Sequence, residues 1–237
     1  MQIKIIYDKE STSSKLLAGW GVSYLVDGHI LFDAGEKFQP LFKNMKNMSV
    51  GINDLDTAVI SHDHWDHTGG LWELLKRRAG IKVYVCPGFG DEFKNRIKEL
   101  GGELVEADGI TRIDADVYTT GEIAGEYKGL SMPEQSLVVK TGRGISVMTG
   151  CSHPGILKIL GKIKEGFPGE KIYSVFGGFH LNDKGEDFIE KVVEGFREMG
   201  VEKVGASHCS GDKAEELFRN KYKNDFIDVK AGMTIEL

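Results

Sequence analysis

Between residues 61 and 70 the chain reads SHDHWDHTGG, which places His62, His64, Asp66 and His67 within six consecutive positions. Three of the seven histidines fall in this one stretch. Imidazole nitrogens and a carboxylate crowded together are the donor set of zinc or a similarly borderline divalent ion. In a chain leaving a strand, positions i and i+2 point the same way, so His62 and His64 can share one ion. Asp66 and His67 fall on the turn that follows and can reach a second. Two ions about 3.5–4 Å apart would activate water as a nucleophile and polarise an electrophilic oxygen.

The remaining histidines support a site assembled from separate loops. His153, His180 and His208 lie in VMTGCSHPG, YSVFGGFHL and VGASHCSG, each directly after an apolar strand and a turn. Ligands in α/β architectures project from such strand ends, where rigid strands fix the geometry. His153 is expected to complete the first ligand set and His208 the second. His180 is expected at the same edge, either as a further ligand or as an acid or substrate contact. Asp33, ending the strand of LFDAG, is expected to orient a ligand histidine or a bound water; its competing role is to cap the next helix. Ser152 and Pro154 in GCSHPG mark either an ordinary helix start or a turn whose N–H groups favour an anion. His29 reads as a solvated turn residue.

Cys86, Cys151 and Cys209 are too few and too scattered for a disulfide framework. Cys86 ends an apolar strand, and Cys151 and Cys209 read as small residues packed beneath the site.

The elements that must carry these residues follow from periodicity. Alternation predicts strands at IKIIYD, GVSYLVDG and HILFDAG, the last two joined by Asp27–Gly28 as a hairpin. A helix at KFQPLFKNMKNM is expected to break early at Pro40. TAVISH is a strand running into the histidine cluster, and GGLWELLKRRA is helical. Strand KVYVCP, helix DEFKNRIKELGG and strand ELVEA follow, then a strand-rich middle at TRIDADVYTTGEI, SLVVKTGRG and ISVMTG. The rest alternates helix and strand from PGILKILGKIKEG to DKAEELFRNKYKN, with a closing strand pair near FIDVKAGMTIEL. Strand runs thus begin both halves, roughly 1–110 and 111–237, without a linker between them. One α/β domain spanning 1–237 is expected, with two sheets face to face and helices outside.

Composition narrows the function classes. The 237 residues are 41% hydrophobic and 28% charged with a net charge of −6, ample for a packed core. No basic stripe points to nucleic acid. LLAGWGVSYLV is too short to span a membrane, and the N-terminus lacks a signal-peptide layout, so a cytoplasmic protein is expected. The expected partner is a small, phosphorylated or otherwise anionic molecule; self-association is left open.

LFDAG, SHDHWDHTGG, GCSHPG and SHCSG, in this order, resemble the motifs of the metallo-β-lactamase-fold hydrolases. The resemblance runs along the whole chain. It implies a four-layer αβ/βα sandwich with the metal site at one edge between the sheets. It also implies one or two divalent ions, zinc foremost, with iron or manganese as alternatives, held by His62, His64, Asp66, His67, His153 and His208. A narrower likeness in PEQSLVV, GCSHPGI, GGFHL and SHCSG is to the subfamily named for a dihydropterin–ribofuranosylaminobenzene phosphate synthase. That likeness implies a transferase joining a dihydropterin methyl diphosphate to an aminobenzene ribose phosphate. One departure stands out: where the superfamily usually has an aspartate bridging both metals, this chain has VFGGFHL and no Asp before Asp183. The leading expectation is a hydrolase with Asp66 and His180 in the chemistry. A catalytically silent metal-binding regulator is the rival, but six or seven donors exceed the four a structural zinc needs.

Overall fold

A computed structural model describes every residue from Met1 to Leu237. The chain forms two units, one of Met1–Asp108 with Lys230–Leu237 and one of Gly109–Val229. In the first, β1 (Gln2–Tyr7), β2 (Ser23–Val26) and β3 (Ile30–Phe32) form an antiparallel meander. Asp27 and Gly28 both take positive φ, 45° and 82°, which matches the right-handed twist of a two-strand hairpin. The next elements are α1 (Phe38–Asn47), β4 (Thr57–Val59), α2 (Trp65–Thr68), α3 (Leu71–Arg77), β5 (Lys82–Val85), α4 (Asp91–Glu99) and β6 (Glu103–Glu106). Strands β3 to β6 pair in parallel. Leu41, Met45, Leu71, Leu74, Leu75 and Ile97 pack from these helices into one core with Leu25, Leu31, Ala58 and Val83. Pro40 does not break α1. It sits in the first turn, where the missing N–H has no intrahelical partner to lose.

The second unit opens with β7 (Thr111–Asp114) and β8 (Val117–Thr119), then a small hairpin, β9 (Glu126–Tyr127) with β10 (Leu130–Ser131). Next come β11 (Leu137–Thr141), β12 (Gly144–Thr149), α5 (Ile156–Gly166), β13 (Ile172–Gly178), α6 (Glu186–Glu198), β14 (Lys203–Ser207) and α7 (Asp212–Tyr222). Its six strands run in the order β14-β13-β12-β11-β8-β7, with β12, β13 and β14 parallel. Parallel neighbours need helical crossovers, which α5 and α6 supply. β12 and β13 are buried throughout, which is why they read as unbroken runs of apolar and small residues. Phe179, Phe196 and Phe218 meet in an aromatic triangle with centroids 5.0–5.5 Å apart, closing the core beneath α6 and α7.

The C-terminus differs from the expected strand pair. Only β15 (Thr234–Glu236) is a strand, and it returns to the first unit beside β1, giving that sheet the order β15-β1-β2-β3-β4-β5-β6. Phe226 makes a single bridge to Val204 instead. No helix is long and apolar enough to cross a membrane.

Candidate metal centre

In the first unit the site begins where β4 ends. Asp33, wholly buried, accepts a hydrogen bond from the Ser61 amide at Oδ1 (2.7 Å) and another from the Ser61 hydroxyl at Oδ2 (2.7 Å). The hydroxyl hydrogen being committed there, Ser61 Oγ accepts from His62 Nδ1 at 2.8 Å. That fixes the His62 tautomer and makes Nε2 the nitrogen with the lone pair. Nε2 lies 3.1 Å from His64 Nδ1. Asp33 Oδ2 also meets His67 Nδ1 at 2.7 Å, turning His67 Nε2 toward Asp66 Oδ2, 3.6 Å away. Burial pushes the Asp33 carboxyl above its ordinary range, against the opposing pull of His67 and Ser61.

The geometry fits a divalent ion. Two nitrogen or oxygen ligands at about 2.0–2.2 Å from a tetrahedral zinc stand about 3.3–3.6 Å apart, close to the 3.1 Å of the His62–His64 donors and the 3.6 Å of the His67–Asp66 donors. Asp33 serves as the carboxylate behind the imidazole; the helix after it, α1, starts at Phe38.

In the second unit β12, β13 and β14 deliver the single histidines. Glu134 is fully buried and accepts from the amides of Cys151, Ser152 and His153, each at 2.8 Å, and from His153 Nδ1 at 2.9 Å. Burial would raise its pKa, but the His153 hydrogen bond and these amides outweigh it and hold the carboxyl low. His153 therefore stands to Glu134 as His67 stands to Asp33. His208 Nε2 lies 3.4 Å from Cys151 Sγ. Cys209 Sγ donates to the Cys151 carbonyl at 3.6 Å. Burial pushes the Cys209 thiol up, yet hydrogen bonds with Cys151 and His180 bring it down to about 6. The Cys209 contact raises the His180 pKa, opposed by burial. His180 packs its ring 4.7 Å from that of His153 and 5.6 Å from that of Tyr127.

Gly177 and Gly178 make this crowding feasible. A Cβ on Gly177 would sit 2.2 Å from the Thr149 carbonyl, and one on Gly178 2.6 Å from Cys209 Sγ. Four non-glycine residues in these loops, Asp33, Ser152, His180 and His208, take φ between 50° and 65°. Such left-handed backbone is sparsely populated, persists where the surroundings over-determine it, and clusters at functional sites.

Three participants were not among the residues expected to act. Cys151 and Cys209 are buried as expected of packing residues, but their sulfurs are within reach of His208 and His180. Glu134 lies in the PEQSLVV stretch directly ahead of β11. An acid at the mouth of an apolar strand was its available signal.

A family model described as the metallo-beta-lactamase superfamily matches residues 20–160. The chain belongs to that superfamily. It is 30% identical, over 91% of its own length and 89% of the relative's, to the 7,8-dihydropterin-6-methyl-4-(beta-D-ribofuranosyl)-aminobenzene-5'-phosphate synthase of Methanocaldococcus jannaschii. A solved structure of a metal-dependent hydrolase of the beta-lactamase superfamily matches with a TM-score of 0.84 and 30% identity, covering 100% of this chain and 99% of the other. A metallo-beta-lactamase fold protein from Bacillus subtilis, at 15% identity, covers 99% of both chains with a TM-score of 0.68, a likeness of fold alone. The metallo-β-lactamase fold expected from the motifs is thus the fold of this chain. The matched region of this superfamily member holds Asp33, the 62–67 cluster, Glu134 and His153; His180 and His208 lie beyond it.

Proposed function

We propose that this superfamily member is a metal-dependent hydrolase of phosphorylated or otherwise anionic small molecules. One observation carries the reading: each unit holds a ligand-type imidazole backed by a fully buried carboxylate, His67 by Asp33 and His153 by Glu134. Such backing fixes tautomer and ring orientation and raises ligand basicity, which a histidine serving only as packing does not need. His62, His64, Asp66 and His67 in the first unit, and His153 and His208 in the second, are the residues that would hold divalent ions, with zinc the metal suited to these donors. Bound there, the metal would supply Lewis acidity and acidify a water enough to act as a nucleophile near neutral pH.

The chain's own residues do the rest. A cavity of about 600 Å³ in the second unit is lined by His153, His180, Tyr127, Lys128, Lys158 and Lys184, among others. Glu126 and Asp183 also line it, and Lys184 is ion-paired with Asp183, so Lys128 and Lys158 are the cations that favour an anionic substrate. The Tyr127 ring, edge-on to both histidines, offers a wall for a planar group. His180 Nδ1 is buried without a hydrogen-bond partner. With its pKa raised, His180 suits the role of proton donor to a leaving group. Asp66, on the first turn of α2, would place the attacking water. Three buried free thiols suit a reducing compartment, and we place the protein in the cytoplasm.

The transferase reading has one observation of its own, the synthase relative matched along 91% of this chain. Elemental analysis of the purified protein, followed by parallel assays, tests both. Chelator-sensitive cleavage of a phosphodiester is expected. Joining of a dihydropterin methyl diphosphate to an aminobenzene ribose phosphate, without hydrolysis, would establish the transferase instead. Bound metal with neither activity would leave the regulatory role.

A further inference from the structure

Cys151 is buried in the second unit with its sulfur among several other donor atoms. Five donors gather there in two groups, Cys151 with His153 and His180, and Cys151 with His208 and Cys209. Within each group the donor atoms all lie within 4.8 Å of one another. The Cys151 sulfur is the one donor common to both groups. It is therefore within 4.8 Å of a donor atom of both His153 and His208, the two histidines expected in different ligand sets. We propose that Cys151 is a metal ligand, its thiolate shared by the two ions.

The chemistry of the donors supports sharing. A neutral imidazole offers one lone pair and binds one ion, so neither His153 nor His208 can bridge. A thiolate sulfur carries several lone pairs and is a soft donor for zinc. The Cys151 Sγ to His208 Nε2 separation is 3.4 Å. A thiolate at about 2.3 Å and an imidazole at about 2.0 Å on one tetrahedral zinc stand about 3.5 Å apart. Cys209 is differently placed. Its sulfur donates to the Cys151 carbonyl at 3.6 Å and interacts with His180, and it belongs to only one of the two groups. Glu134, by accepting the Cys151, Ser152 and His153 amides together, holds the sulfur and the His153 ring in one rigid turn. Ligation exchanges the thiol proton for the metal bonds, the proton leaving to solvent.

This inference rests on the metal-enzyme reading above, and its test separates the two. X-ray absorption on the zinc-loaded wild-type protein is expected to show a sulfur neighbour at about 2.3 Å alongside nitrogen and oxygen. In the cobalt-loaded protein a thiolate-to-cobalt charge-transfer absorption is expected. It should vanish in Cys151→Ser, together with binding of the second equivalent of metal, and persist in Cys209→Ser and Cys86→Ser. Two ions bound through nitrogen and oxygen only would overturn the role of Cys151 and leave the metal enzyme standing. Failure to bind any divalent ion would overturn both. Absorption lost in Cys209→Ser but kept in Cys151→Ser would assign the sulfur to the wrong cysteine here. The wild-type measurement stands by itself should Cys151→Ser not fold.

Discussion

At the residue scale, the candidate donors lie in the loops and short helical turns that follow the strand ends, and the stability lies in the strands beneath them, so chemistry and folding separate. His62→Ala or His64→Ala should strip metal and abolish turnover while circular dichroism stays that of a folded protein; full metal content by elemental analysis would contradict the ligand assignment. Asp66→Asn keeps size but substitutes a poorer ligand. It should lower turnover by at least the roughly 10–100-fold that losing a group which merely orients a metal ligand costs, with little change in the melting temperature. His180 is a different case, since its Nδ1 is buried without a partner at the cavity wall and its pKa is raised through Cys209. Acting as an acid, it must be protonated, so activity that depends on it is present at low pH and is lost as pH rises through the raised pKa. His180→Ala should leave metal stoichiometry intact, lower kcat about a hundredfold or more, and remove the basic limb of the pH profile. Lower metal content would make it a ligand, and no change in either quantity would reduce it to packing.

At the element scale, the parallel trio β12, β13 and β14 acts as the scaffold. Register pairs Thr149 with Gly177 and Gly178 with Ser207, so three strands end side by side and their loops start from one edge. The trio is held from beneath by α6 and α7 through Phe179, Phe196 and Phe218. Phe196 is wholly buried at the centre of that cluster. Phe196→Ala should destabilise the protein by about 3–5 kcal/mol, read as a shift of the urea midpoint at constant slope. An effect of less than about 1 kcal/mol would mean that the cluster collapses around the gap.

At the scale of the whole molecule, metal binding and folding are linked. Each unit carries its own oriented imidazole, and an ion that binds the folded chain and not the unfolded one stabilises it by mass action. With zinc at about 1,000 times its dissociation constant, the gain is about 4 kcal/mol. Thermal melts with and without chelator should differ by several degrees, and a melting temperature indifferent to chelator would deny metal any part in the folded state. His62→Ala should melt at the same temperature with and without zinc if it has lost its ions.

Some of this was legible in one dimension. The spacing of His62, His64, Asp66 and His67 is local, and the α2 turn that follows β4 sets His62 beside His64 and His67, and His67 beside Asp66. Asp27–Gly28 carried its turn type in its own backbone preferences. Pro40 was misjudged because its effect depends on its place in the helix, harmless in the first turn and breaking further in. The carboxylate partners could not be read so directly. Asp33 meets His67 across 34 positions, Glu134 meets His153 across 19, and Cys151 meets His208 across 57. Those separations close only when strand register is chosen, and register is settled by burial of whole sheet faces, not by any residue at the site. The left-handed backbone at Asp33, Ser152, His180 and His208 was equally hidden, because outside glycine a side chain only shifts the odds of so uncommon a conformation, as aspartate and histidine do. The amino-acid sequence therefore determined which donors exist and how the nearest ones group. Tertiary packing alone decided which carboxylate orients which imidazole, and that the Cys151 sulfur comes within 3.4 Å of His208.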